Sequence, residues 1–354
     1  GGGGAEGRHP VSVLATTPGA SARPSPIDMR GPDFLGFHHF VEPGHRRSRL
    51  SWARGFVMSL GVVLSLVGCA RTRTADRVED TETSGRITLA AAPDVRDLVL
   101  AEVEGFRKDY PQGTITVREP ESSAQVIAAL WGGHADVAAA GRELETEERE
   151  MARRAGIEIE GHRIAKDAMC VIVAASNPVH NVTIGELQRI WLGEITDWRA
   201  LGGASGRIVP VLPPLSSDLA RAFVQHILDA QPMKAPSMVE ESDSAVVARV
   251  RATPGAVGVV SMVVANAPGV RSLAVSPLEG MPYVEPDLPA IHENRYPLTR
   301  TINLYLRTRG PRLAGGLVTY ASSHPGQQLV LDRGLLPTAV PLRFVHRSPM
   351  LESH

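Results

Sequence analysis

Two cysteines, Cys69 and Cys170, are the residues of this 354-residue chain whose chemistry depends most on where they stand. A thiol can act as nucleophile, metal ligand, disulfide partner or small buried hydrophobe, and its surroundings decide which. The two stand far apart, with no CxxC pair, zinc spacing or disulfide framework. Cys170 lies in the apolar run "AMCVIVAA" and reads as a core thiol. Cys69 ends the apolar run "FVMSLGVVLSLVG", behind Arg46, Arg47, Arg49 and Arg54. Basic region, apolar core and small residue stand in the order of a secretory signal. The run is shorter than the roughly 20 apolar residues of a permanent span, so cleavage is expected at Cys69.

Other reactive patterns are missing. The chain has no GxSxG nucleophile elbow, no HExxH and no P-loop, and its twelve histidines are scattered, with His38 and His39 in the leader. Ser, His and Asp residues are plentiful enough to compose a triad by chance, so they carry no argument for one. No enzyme, metal or cofactor is expected. Lys and Arg (37) nearly balance Asp and Glu (38), which removes the basic field that nucleic acid would require.

The residues that remain are positioned by alternating strands and helices. "RITLAAA" reads as a strand, and Val95, Leu98, Val99, Val103 and Phe106 give "DVRDLVLAEVEGFRKDY" a helical apolar spacing closed by Pro111 and Gly113. "TITVRE" and "ADVAAAG" read as further strands around the helix "SAQVIAALWGG", which implies a parallel sheet with helices on its faces. "DAMCVIVAA" is a buried strand, Thr183 can cap the helix of "TIGELQRIWLGEITDW", and "RIVPVLP", "SSDLARAFVQHIL" and "GAVGVVSM" make a second α/β unit. "TINLYLRT", "RLAGGLVTYASS" and "GQQLVLDRG" add a strand and two helices. Trp131, Trp191 and Trp198 read as core.

Leu66, Val67, Gly68 and Cys69 resemble the lipobox of bacterial lipoproteins, in which the cysteine becomes a lipidated N-terminus. The rest of the chain resembles the phosphate-type extracytoplasmic solute-binding proteins of ABC transporters. "VIVAASNPVHNVTIGELQRIWLGEITDWRALGG" is similar to the family's strand, Asn-Pro and helix, with Ile190, Gly193, Ile195 and Trp198 in an I-x-x-G-x-I-x-x-W pattern. "GAVGVVS", "YPLTRTINLYL" and "SSHPGQQLVLDRGLLP" match later segments in order. The resemblance implies an α/β, two-lobed periplasmic binding protein-like fold of type II, each lobe a mostly parallel sheet flanked by helices, joined by a hinge.

The resemblance also implies site positions. The first binding turn falls on Ala91, Ala92, Pro93 and Asp94, without a hydroxyl; Asp94 either lines the site or caps the helix that follows. Ser123, beside Ser122, occupies the second turn, where either serine caps the helix or meets the ligand. The family's Ser-Arg pair becomes Gly141 and Arg142, and Arg142 faces either an anion or a carboxylate of "ELETEE". In the second lobe Ser217 is kept, beside Ser216, while Asp218 stands where the family has glycine. Two carboxylates near a phosphate would each oppose it by about 1 kcal/mol even in a water-like dielectric.

The expected organisation is a leader over 1–45 with Met29 as the start, a signal peptide over 46–68 and a flexible tether over 69–85. Lobe 1 takes 86–175 and 292–354, and lobe 2 takes 176–291. The implied protein is a monomeric periplasmic or cell-surface lipoprotein, lipidated at Cys69, that captures inorganic phosphate or a similar oxyanion for an ABC permease. A non-transport sensory or interaction module on the same fold, with altered or lost ligand binding, is the alternative.

Overall fold

The structure, a computed structural model, describes residues 79–339. The expected leader, the signal segment and Cys69 lie outside the described residues.

The first α/β unit follows the sequence pattern closely. β1 (Gly85–Ala91) leads through a 3-10 turn (Pro93–Val95) into α1 (Arg96–Asp109), which buries Leu98, Val99, Val103 and Phe106. β2 (Gly113–Arg118), α2 (Ser123–Trp131) and β3 (Val137–Ala140) follow, and β2 and β3 pair in parallel with β1 on either side. α3 (Thr146–Arg154) was not legible in the sequence: most of its residues are Glu or Arg, and it buries only Glu148 and Ala152. The 16-residue β4 (Ile159–Ala174) then runs out of this unit into the next.

The second unit holds β5 (Asn181–Thr183), α4 (Ile184–Trp191), a 3-10 turn (Trp198–Leu201), β6 (Val209–Leu212) and α5 (Asp218–Ile227). β7 (Met238–Val239), α6 (Asp243–Ala252), β8 (Ala256–Ser261), β9 (Val270–Ser272), β10 (Ala274–Ser276) and α7 (Leu288–His292) complete it. Thr183 caps α4 as expected: its Oγ1 accepts from Glu186 N (3.1 Å), while Glu186 Oε2 accepts from Thr183 N (2.8 Å). The I-x-x-G-x-I-x-x-W pattern has a local cause. Gly193, at φ +77°, turns the chain after α4; Ile190, Ile195 and Trp198 are buried, and Trp198 Nε1 donates to Gly255 O (3.0 Å).

β11 (Thr299–Arg307) returns the chain to the first unit, where α8 (Arg312–Ser322), α9 (His324–Asp332) and β12 (Leu336–Pro337) end the described fold. The strand order is β2-β1-β3-β11-β4-β8-β6-β7, with β12 and β9 also on β4 and a separate β10-β5 pair. The β2-β1-β3 and β8-β6-β7 groups are parallel, and the seams at β11 and β4 are antiparallel.

Two hydrophobic cores result among the described residues. One gathers Leu89, Phe106, Ile115, Leu130, Leu304 and Leu313; the other gathers Ile172, Trp191, Phe223, Val250 and Val259. Cys170 is buried in the second, a free thiol. The cores change over inside β4, between Ala165 and Ala168, and at the start of β11, between Leu298 just before it and Ile302. The two lobes are thus joined through a pair of adjacent antiparallel strands. Asp167 and Arg300 face each other in register at that crossing.

The last residues of the expected flexible tether are docked. Asp80 Oδ2 accepts from Arg312 N (3.0 Å) and Oδ1 from Leu313 N (3.3 Å), which supplies α8 with the cap that Pro311 lacks. Ser84 Oγ donates to Glu79 O (2.6 Å). Local composition marked the segment as polar, but the free N–H groups of α8 give it a partner.

Candidate functional site

Four segments of the first lobe and one helix of the second meet between the cores. Asp94 comes from the turn after β1, Ser123 from the start of α2, Gly141 and Arg142 from the end of β3, and Arg300 from β11. Asp218, the first residue of α5, enters from the other side. Gly141 is the close-packed centre: a Cβ there would lie 2.6 Å from Arg300 Nη1, 3.0 Å from Asp94 Oδ2 and 3.3 Å from Asp218 Cβ.

Asp218 is almost fully buried, at 1% exposure. Its Oδ2 accepts from the Ser123 hydroxyl and from Gly141 N (2.8 Å), and its Oδ1 lies 3.3 Å from Arg142 Nε. Burial, and then the charge of Asp94, push its pKa up; Ser123, Arg300 and Arg142 pull against that. Arg142 also makes a bidentate pair with Glu148, both bonds 2.7 Å, and its backbone oxygen accepts from Asn303 Nδ2 and the Tyr305 hydroxyl (both 3.0 Å). Burial disfavours the Arg142 charge, but Glu148, Asp218 and Glu145 outweigh it and raise the pKa.

A second arginine balances the remaining carboxylates. Arg300 donates to Asp94 Oδ2, and its Nε (3.0 Å) and Nη2 (2.9 Å) meet Asp167 Oδ2. Asp167 Oδ1 in turn accepts from the Ser261 hydroxyl (2.9 Å) and Met262 N (3.2 Å). Asp243, at the start of α6, accepts from Ser261 N (2.9 Å), and burial pushes its pKa up to about 6 against that bond. The junction therefore holds two guanidinium groups among several carboxylates, and a buried charge is tolerated only with such partners.

The sequence candidates divide accordingly. Ser123, Arg142, Asp94 and Asp218 are brought together. Ser122 and Ser217 are helix caps, accepting from Gln125 N (3.4 Å) and Ala220 N (3.2 Å), and Ser216 is exposed. Asp94 does not cap a helix: Ala92 and Val95 hold the N-cap positions of the 3-10 turn and α1 without a side-chain bond, and the Asp94 carboxylate is paired with Arg300 instead. Of the two readings of Arg142, the carboxylate pairing within "ELETEE" is present, with Glu148. Arg300, Asp167 and Asp243 were not legible in the sequence: Arg300 stands between Thr299 and Thr301 at the polar start of β11, where nothing local marks it as buried.

The model of the PBP superfamily domain matches residues 78–324. The chain belongs to the PBP superfamily. It is 27% identical over 290 residues to the phosphate-binding protein PstS of Bacillus subtilis (strain 168), covering 79% of this chain and 90% of that protein. Over 194 residues it is 28% identical to the protein SphX of Synechococcus elongatus, covering 51% of this chain and 56% of that one. Among solved structures, a substrate-binding protein with bound phosphate from Clostridium perfringens matches with a TM-score of 0.63 at 23% identity, over 72% of this chain and 100% of that one. An ABC-type phosphate transport receptor from Vibrio cholerae matches with a TM-score of 0.61 at 22% identity, over 71% and 100%. At these identities the solved structures establish the PBP fold, two lobes around a junction, and the ligand question rests on the residues at that junction.

Proposed function

We propose that the protein is an extracytoplasmic solute-binding protein, not an enzyme, that captures phosphate or a similar oxyanion between its lobes for an ABC permease. The observation that carries this reading is the convergence of the Ser123 hydroxyl, the Gly141 N–H and the Arg142 guanidinium on the oxygens of one carboxylate. A hydroxyl, a backbone N–H and a guanidinium grouped around one anionic group, the hydroxyl at a helix start, support an oxyanion site there. The homology to PstS of Bacillus subtilis supports the ligand class. In this reading Ser123 and Arg142 hold the solute, Ser122 and Ser217 shape the helix starts around it, and the protein works as a monomer in the periplasm or at the cell surface. Cys69 carries the lipid anchor, and since one acyl chain binds a membrane only marginally, more than one is required.

The test is a titration of the purified protein with phosphate, sulfate, molybdate and small organic solutes, followed by melting temperature. A ligand at about 100 times its dissociation constant stabilises by roughly 2.7 kcal/mol. A melting point that no oxyanion moves sinks the reading. It would hand the site to the second one, a sensory or interaction module, which one observation favours: the carboxylate among the donors belongs to the chain itself.

A further inference from the structure

We propose that Asp218 is a built-in anionic ligand, whose carboxylate occupies the oxyanion subsite of the first lobe and latches the two lobes together in the absence of solute. An aspartate in the first turn of a helix needs no special reason when it is exposed, since the helix dipole favours it there. Asp218 is not exposed, and its cap function is already performed by Ser217. Its side chain leaves its own lobe and ends among Ser123, Gly141 and Arg142, donors from two segments of the other. One carboxylate oxygen accepts two hydrogen bonds, as a bound anion's would, while the other lies 3.3 Å from the Arg142 guanidinium in an ionic contact without a hydrogen bond.

Two further features fit a latch. Gly141 has no side chain; a Cβ there would lie 2.6 Å from Arg300 Nη1 and 3.3 Å from Asp218 Cβ, so glycine eases the close packing of both against this turn. Arg221, one turn along α5, pairs with Glu145 beside Arg142, which makes a second ionic contact from the same helix to the same region of the first lobe. Helix α5 is thereby held at two points one turn apart. Solute that uses the Ser123, Gly141 and Arg142 donors must displace the carboxylate; this consequence rests on the oxyanion reading above, whereas the latch does not.

The experiment compares the full chain with Asp218→Ala and Asp218→Asn. The asparagine variant keeps size and shape and so reads the charge even if the alanine variant does not fold. Small-angle scattering without added solute decides the latch: a larger radius of gyration in the variants supports it, and a radius equal to that of the unaltered chain in both overturns it. Phosphate calorimetry on the same proteins reads the displacement. If the latch leaves about one molecule in ten open, its removal lowers the apparent phosphate dissociation constant about tenfold. Such a fall supports the proposal, and phosphate binding with an unchanged constant in both variants overturns it. Expanded variants that bind no phosphate, alongside an unaltered chain that binds none, leave the latch standing and defeat the oxyanion reading alone.

Discussion

Replacing Arg300 with methionine should be among the most damaging single changes in the described fold. The guanidinium is 4% exposed and bridges Asp94 on the turn after β1 to Asp167 on β4, at the strand pair that joins the lobes. Methionine replaces much of the aliphatic stem, so the loss is electrostatic rather than a large cavity. Asp167 keeps its Ser261 and Met262 donors on one oxygen but loses both arginine contacts on the other, in a site with no exposure. Removing one partner of a buried ion pair costs about 3–5 kcal/mol, because the remaining charge is stranded. Urea unfolding at constant pH measures this directly as a lowered midpoint at an unchanged slope. Asp167→Asn placed in the same background removes the stranded charge and should recover about 1–3 kcal/mol of the loss. The reasoning is refuted if Arg300→Met costs less than about 1 kcal/mol, the level of an exposed pair, or if Asp167→Asn deepens the loss.

Glu102 on α1 is 2% exposed, and burial pushes its pKa up to about 8 although Arg333 pulls it down. A folded-state pKa above the usual value of 4.5 means that stability falls as pH rises from about 4.5 to about 8 and is flat beyond, so the melting-temperature advantage of Glu102→Gln should widen through that window; parallel curves for the two proteins would contradict it. Ser217→Ala removes the α5 cap and should cost about 1 kcal/mol in a denaturation curve, while Ser217→Asp, another capping residue, restores most of it. Gly316→Ala would put a Cβ 1.7 Å from Glu82 O, so hydrogen exchange should rise over residues 79–84 while the sheet is unaffected; unchanged exchange would mean the segment is not held against α8.

What was legible in the sequence is what local chemistry determines. Thr183 and Glu186 lie three residues apart and make their capping box alone, and the apolar stripe of α1 buries the residues its spacing indicates. α3 was missed for the converse reason, since its "TEEREMARR" offers no apolar period and its anchor, Glu148, is a buried charge whose partner is Arg142. The site was half legible. Ser123 and Arg142 stand at helix and strand ends where a resemblance can find them. The partner of Asp94 is 206 residues away, and that of Ser123 is 95 residues away, distances over which neither propensity nor spacing carries information.

Against the pattern that the resemblance implies, Asp94, Gly141 and Asp218 are three departures that each weaken the proposed anion site: a lost hydroxyl, a lost serine and a glycine turned acidic. In the folded chain they are mutually dependent. Gly141 leaves room for Asp218 Cβ, which a Cβ at 141 would crowd at 3.3 Å, and Arg300 pairs with Asp94 beside it. Arg142 is held in place by Glu148 with one face while the other meets Asp218. Reverting one position alone should therefore not rebuild a phosphate cradle: a serine at 141 would collide with Asp218 and Arg300, and glycine at 218 would leave Asp94 facing any incoming anion. The three must change together, with Arg300 left to pair with Asp167, before the donors at Ser123 and Arg142 face a dianion without opposition.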